Sequence, residues 1–324
     1  MESITFKDVD SNVPIDLNVI LADQYETRDI HKVKVFVAIL KDKKSISPAI
    51  RSLAKLFPIP KDLIHLKRVR NNQQSDTNEI IICKECETSV DQIERKLANS
   101  IDYTDLKIVS VPNGPPFNRW QFEKASKLWP VNFFENKEIT QRLDGTCISL
   151  NDRWTIDSIM RDLVKRSMEN NYRDFGAIVD SNFNVLVICG DHIDRHPLRH
   201  CPMNLIDLIS SLQGGGSWYK KDNQENQSID GPLSLIMTTD HDPDAYLCTG
   251  YDVYLTREPC IMCSMGLLHS RIKRIFFLEE QIKSTTRLKD GCPNDLALSR
   301  MKLHTNPDIN HRFDVWRVKL KNDC

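Results

Sequence analysis

The 324 residues exceed one ordinary domain and suit two. Hydrophobic residues at 40% and charged residues at 27% exclude a disordered chain, and no apolar run approaches the ~18 residues that a membrane-spanning helix needs. With 44 Lys and Arg against 45 Asp and Glu, the net charge of −1 excludes a molecule that attracts nucleic acid over its whole surface; any RNA contact needs a local patch or a partner. The opening Met1-Glu2-Ser3-Ile4-Thr5 has neither the basic head nor the apolar stretch of a signal peptide, which points to the nucleus and/or cytoplasm. In such a reducing compartment the ten cysteines fit metal binding or plain burial better than disulfides.

Residues 1–111 read as one small domain. Val33 to Leu40 is β-branched and apolar like a buried strand, and Ser47-Pro48 followed by Ile50, Leu53, Ala54 and Phe57 has the spacing of a capped amphipathic helix. Leu63 to Val69 and Glu79 to Cys83 read as two strands of a hairpin around the polar Asn71 to Asp76 turn. A helix over Val90, Ile93, Leu97 and Ala98 then leads to a strand at Lys107 to Val111. The resulting β-α-β-β-α-β order is that of a ferredoxin-like α+β domain.

From 112 to 149 Pro112, Pro115, Pro116 and Pro130 hold the chain extended, and Phe117, Trp120, Phe122, Trp129, Phe133 and Phe134 predict an ordered connector that packs against its surroundings. Residues 150–324 read as a second, α/β domain. A helical stripe runs through Trp154, Ile156, Met160 and Leu163, followed by strands at Ala177 to Val179 and Val185 to Ile188. Residues 213–230, rich in Gly, Asn, Gln and Lys, read as a surface insertion.

The sharpest signal is Thr256-Arg257-Glu258-Pro259-Cys260-Ile261-Met262-Cys263, in which two thiols reach one metal from the first turn of a helix that Pro259 opens. A bland alternative is a redox pair or chance: Cys83-Lys84-Glu85-Cys86 has the same spacing but no proline and lies between a strand and a helix. The third ligand is expected at another helix start, and His200 precedes the helically spaced Met203, Ile206 and Ile209. His192 and His196 are rivals, but Pro197 separates them from the helix. One Zn²⁺ held by His200, Cys260 and Cys263 would have a neutral imidazole, two thiolates and a fourth position. Water or the terminal Asp323-Cys324 would fill that position.

These residues resemble the zinc deaminase signature, H-x-E followed by P-C-x-x-C. The Glu-Pro-Cys-x-Met-Cys run, Tyr246 to Tyr251 and Asn310-His311-Arg312-Phe313 are similar to the non-catalytic subunits of the eukaryotic heterodimeric tRNA wobble-adenosine deaminase, over roughly the last 175 residues. The resemblance implies a cytidine-deaminase-like three-layer α/β/α domain, an N-terminal tRNA-binding domain and a catalytic partner subunit with which the complex converts wobble adenosine to inosine. It also puts Pro202 where the family's catalytic glutamate stands. No catalytic residue is then expected, because proline cannot carry a proton between water and base. Asp194 in His192-Ile193-Asp194, Glu258 and Asp207 are poor substitutes.

Lys61, Lys67, Arg68 and Arg70 form a candidate RNA-contacting cluster, although a solvated strand edge would look the same. Met262, Met265 and Leu268 on the cysteine helix are candidate partner contacts, although core is the plainer reading. Two other functions fit the residues: a self-sufficient zinc deaminase with an unrecognised acid, and a zinc-stabilised RNA-binding module without a deaminase partner.

Overall fold

The computed structural model describes residues 13–27, 29–72, 76–98, 100–170, 172–218, 245–279 and 296–321. The chain divides into two compact units, one of residues 23–140 and the other of the residues before 23 together with 141–324.

The smaller unit begins with the short helix α1 (Asp23–Glu26). Then follow β2 (Lys32–Leu40), α2 (Ile46–Leu56), β3 (Val69–Asn72), β4 (Thr77–Lys84), α3 (Val90–Leu97), β5 (Tyr103–Pro112) and α4 (Arg119–Leu128), while β1 (Ile15–Val19) belongs to the other unit. Its antiparallel sheet has the order β3-β4-β2-β5, so the two β-α-β halves interlock as in a ferredoxin-like fold. Alternation along β2 separates the two cores. Phe36, Ala38 and Leu40 face Leu53 of α2 and Ile93 and Leu97 of α3. Val35 and Val37 face Leu63, Leu66, Ala125 of α4 and the fully buried Trp129.

The hairpin strand expected at 63–69 is displaced to β3. Residues 61–63 form a 3-10 turn after Pro58 and Pro60, and Leu66 pairs instead with Val131. The expected connector at 112–149 is not uniformly extended either. It holds α4, whose N-cap Asn118 accepts from the Gln121 N–H, and α5 (Lys137–Leu143), which carries the chain from one unit to the next.

The larger unit continues with α6 (Leu150–Glu169), β6 (Phe175–Val179), β7 (Val185–Gly190), α7 (Cys201–Leu212), β8 (Asp252–Leu255), α8 (Ile261–His269), β9 (Arg274–Leu278) and β10 (Asp314–Leu320). The sheet order is β1-β10-β9-β8-β6-β7, with β8, β9 and β10 parallel. Ile156, Met160 and Leu163 of α6 cover one face over Phe175, Tyr254, Phe276 and Trp316. Leu205 and Leu208 of α7 and Leu267 and Leu268 of α8 cover the other over Ile178, Val253 and Ile275, which completes the three layers. β1 pairs antiparallel with β10, Ile15 opposite Leu320 and Val19 opposite Trp316, so the chain's early residues complete the larger sheet rather than the expected 1–111 domain. Most of the expected 213–230 insertion lies outside the described residues. No described helix is long and apolar enough to cross a membrane.

The small sheet also buries a charge. Glu79 is fully buried, and its carboxylate meets Arg70 at 2.7 Å, Lys107 at 2.6 Å and Asn72 at 2.9 Å. Burial acts to raise its pKa, but the hydrogen bonds from Lys107, Asn72 and Arg70 outweigh that and hold the carboxyl below its ordinary value. The stabilisation from this network is present in full above the ordinary value and fades as acid carries Glu79 through its depressed one. Substituting Arg70→Ala is expected to lower the unfolding free energy by about 2 kcal/mol at pH 7, and by less below about pH 4, in urea titrations at several pH values.

Candidate metal centre

Three side chains from two helix starts meet in the larger unit. His200 is the N-cap of α7, with extended backbone at φ −66° and ψ 150°, and Cys260 is the N-cap of α8, at φ −71° and ψ 174°. Cys263 lies one turn into α8. The ligand atoms of His200, Cys260 and Cys263 all fall within 4.8 Å of one another, the one such convergence of three His, Cys, Asp or Glu side chains found among the described residues. His200 Nδ1 is 3.7 Å from Cys260 Sγ. A tetrahedral zinc with bonds of ~2.05 Å to nitrogen and ~2.3 Å to sulfur would separate the two atoms by about 3.6 Å, so the donor set and its spacing fit Zn²⁺. Gly176 in β6 makes the close approach feasible, since a Cβ there would lie 2.7 Å from the Tyr254 carbonyl oxygen and 3.0 Å from Cys201 Sγ.

The electrostatics favour thiolate. The Cys260 thiol is pulled down to about 4, chiefly by hydrogen bonding from Cys263 and, against the opposing effect of burial, from His200. Two helix N-termini facing the same volume act in the same direction. His200 is raised, first through its contact with Cys260. Neighbouring Cys201 does not join: it is fully buried, its thiol is pushed far up by desolvation, and its Sγ donates to the Cys189 carbonyl at 3.4 Å. The rival histidines are elsewhere. His192 packs edge-on against Tyr172 at 5.8 Å, and His196 Nδ1 accepts the Leu198 N–H at 3.2 Å.

Pro202 is buried in the first turn of α7, two residues after His200. The acids that might replace a glutamate are engaged or turned away. Asp194 is exposed. Asp207 accepts from the Ser217 N–H at 2.6 Å and the Trp218 N–H at 3.1 Å, and so pins the chain beyond α7. Glu258 accepts from the Leu298 N–H at 2.9 Å and from the Ser299 N–H and hydroxyl, both at 2.7 Å.

The family model of the tRNA-specific adenosine deaminase TAD3 N-terminal domain matches residues 33–129, most of the smaller unit. A Danio rerio protein called probable inactive tRNA-specific adenosine deaminase-like protein 3 is 31% identical across 94% of this chain and 92% of its own. The Homo sapiens protein of that name is 32% identical across 92% and 88%. A Schizosaccharomyces pombe protein called tRNA-specific adenosine deaminase subunit tad3 is 29% identical across 91% and 86%. The chain belongs to the tRNA-specific adenosine deaminase-like protein 3 family. Its larger unit is accordingly a deaminase-like domain.

In this chain, two of the four residues expected to contact RNA have internal duties. Arg68 donates to the Ile81 carbonyl at 3.2 Å and to the Leu53 and Phe57 carbonyls at the end of α2. Arg70 is held by Glu79, by the Leu128 carbonyl at 2.8 Å and by the Trp129 ring, 4.2 Å from its centroid. Lys61 and Lys67 are exposed. Of the expected partner contacts, Met262 and Met265 are half-buried, but Leu268 is corrected to core: it is 3% exposed and packs beneath α8 against the sheet.

Two residues near the site had no signal in periodicity. Asp174, just before β6, pairs with Arg257 at 3.6 Å, and desolvation pushes its carboxyl up to about 6 although Arg257 opposes the shift. Glu258 was legible as part of a motif, but its role depends on Leu298 and Ser299, forty residues later. It clamps the cysteine-bearing turn to the 298–299 backbone. Glu258→Ala is expected to cost about 2–3 kcal/mol in chemical denaturation, since two N–H groups and a hydroxyl lose a charged acceptor; Ser299→Ala, which removes one of the three, should cost about 1 kcal/mol.

Proposed function

We propose that this chain is the catalytically silent, zinc-binding subunit of a tRNA-specific adenosine deaminase that converts wobble adenosine to inosine. The observation that carries the reading is a complete three-ligand set with Pro202 in place of a proton carrier. A zinc ion bound there would supply folding energy by tying two helix starts together, and polarising power for which Pro202 provides no acid or base. His200 and Cys260 hold the starts of α7 and α8, and Glu258 fixes the turn between β8 and α8. The half-buried Met262 and Met265 of α8 are the proposed contacts to a catalytic subunit with an intact acid. The terminal Asp323-Cys324, which lie outside the described residues, remain a proposed source of a fourth ligand.

The smaller unit is the proposed tRNA-binding part. Residues 23–140 carry 20 Lys and Arg against 16 Asp and Glu, whereas the rest of the chain carries 24 against 29. A near-neutral protein thus concentrates its positive charge in one unit, which supports phosphate contacts there. Among the four residues considered for this role, Lys61 and Lys67 are the ones this reading keeps. The complex is proposed to act in the nucleus and/or cytoplasm.

The deciding assay is inosine formation on purified tRNA by this chain alone and with the catalytic subunit. Activity is expected in the mixture alone. Turnover by the isolated chain would overturn the silent role, and an inactive mixture that still binds tRNA would leave a zinc-stabilised RNA-binding module.

A further inference from the structure

The smaller unit exposes an aromatic and aliphatic edge on a backbone that is held unusually firmly. The Lys67 N–H donates to the Pro130 carbonyl at 2.9 Å and the Asn132 N–H to the His65 carbonyl at 2.7 Å, on either side of the Leu66–Val131 bridge. Trp129, fully buried, donates its Nε1–H to the Lys67 carbonyl at 2.6 Å. Immediately beyond this ribbon come Ile64 on one side, and Phe133 and Phe134 on the other. Phe133 stacks on Phe122 of α4, with centroids 5.0 Å apart and planes 17° from parallel, and the Arg119 guanidinium lies 5.9 Å from the Phe122 ring. Phe134 is 93% exposed and Ile64 74%.

A single exposed apolar residue is ordinary on a protein surface. Here two lie at the end of one clamped ribbon, next to a ring already stacked on its neighbour. The charges around them are mixed but lean positive: Lys61, Lys67, Lys127 and Lys137 are exposed, Asp62 is paired with Lys84, and of the exposed acids on the Phe134 side, Glu135 and Glu138, Glu135 accepts from the Thr140 hydroxyl. Bases stack on aromatic rings without regard to sequence while flanking cations hold the backbone, which is how single-stranded nucleic acid is commonly gripped. A protein partner would be served by the apolar edge but would gain little from the lysines.

We propose that Phe134 is a stacking platform for an unpaired tRNA base, with Lys61 and Lys67 contacting adjacent phosphates; the proposal rests on the reading that the smaller unit meets tRNA. Fixing the ribbon in advance lowers the ordering cost of binding, so the ring is presented rather than recruited.

The test uses the full chain assembled with its catalytic subunit and a fluorescein-labelled tRNA transcript carrying adenosine at the first anticodon position. Phe134→Ala should weaken equilibrium binding about tenfold without changing the slope of log affinity against log salt, and Phe134→Trp should restore it. Lys61→Gln with Lys67→Gln should make that slope shallower by about 1.5. Unchanged affinity for Phe134→Ala, with weaker binding when Lys41, Lys43 and Lys44 are reversed to Glu, would overturn the platform and keep the small-unit reading. Unchanged affinity in every variant would overturn both. A Phe134→Ala complex that binds tRNA normally but dissociates more readily into subunits would assign the edge to a protein contact and overturn the proposal.

Discussion

The larger unit depends on a demand that its own helices create. α7 and α8 start side by side over the same face of the sheet, each directing the positive end of its peptide dipoles and its unpaired N–H groups toward one small volume. Negative charge is needed there, and Cys260, with its thiol pulled down to about 4, supplies it. Thiolate, imidazole and a second thiol then come within 4.8 Å of one another because both cap side chains project into that one volume. Gly176 and the Glu258 clamp serve the same arrangement. The glycine lets the start of α7 approach β6, and the carboxylate stops the cysteine turn from moving away from the 298–299 backbone.

Function follows from what this centre holds and what it omits. A deaminase needs both an activated water and a group that passes protons to the base. In the proposed reading Pro202 stands where the second would be, in the first turn of α7, where a missing N–H costs little. Relatives that match this chain nearly end to end carry names that call them inactive or call them subunits. Positive charge collects in the smaller unit, while the larger one keeps a metal-shaped scaffold.

How much of this the sequence disclosed differs from element to element. His200, Cys260 and Cys263 were legible because ligand chemistry and helix starts coincide locally, with a proline at one start. The β-α-β-β-α-β order was legible because each strand and helix has its own period. β1 was not, since five residues gain meaning only by pairing with β10 some three hundred positions later. Proline in the connector drew attention away from α4, which lies between Pro116 and Pro130, and from α5, which follows Pro130. Arg68 and Arg70 looked like a solvated strand edge, and only the fold brings the α2 carbonyls, Glu79 and Trp129 within their reach. Leu268 was left open between partner contact and core for a similar reason: which side of a nearly all-apolar helix faces the sheet is decided by tertiary packing.

The most direct test of the metal centre is the zinc K-edge X-ray absorption spectrum of the purified chain. The account predicts one zinc per chain with sulfur neighbours at about 2.3 Å from Cys260 and Cys263, one histidine nitrogen at about 2.0 Å, and a fourth neighbour that is a light atom or, where the Cys324 thiol supplies it, a third sulfur. A shell of four sulfurs, or a folded chain that purifies without zinc and takes none up, would contradict it.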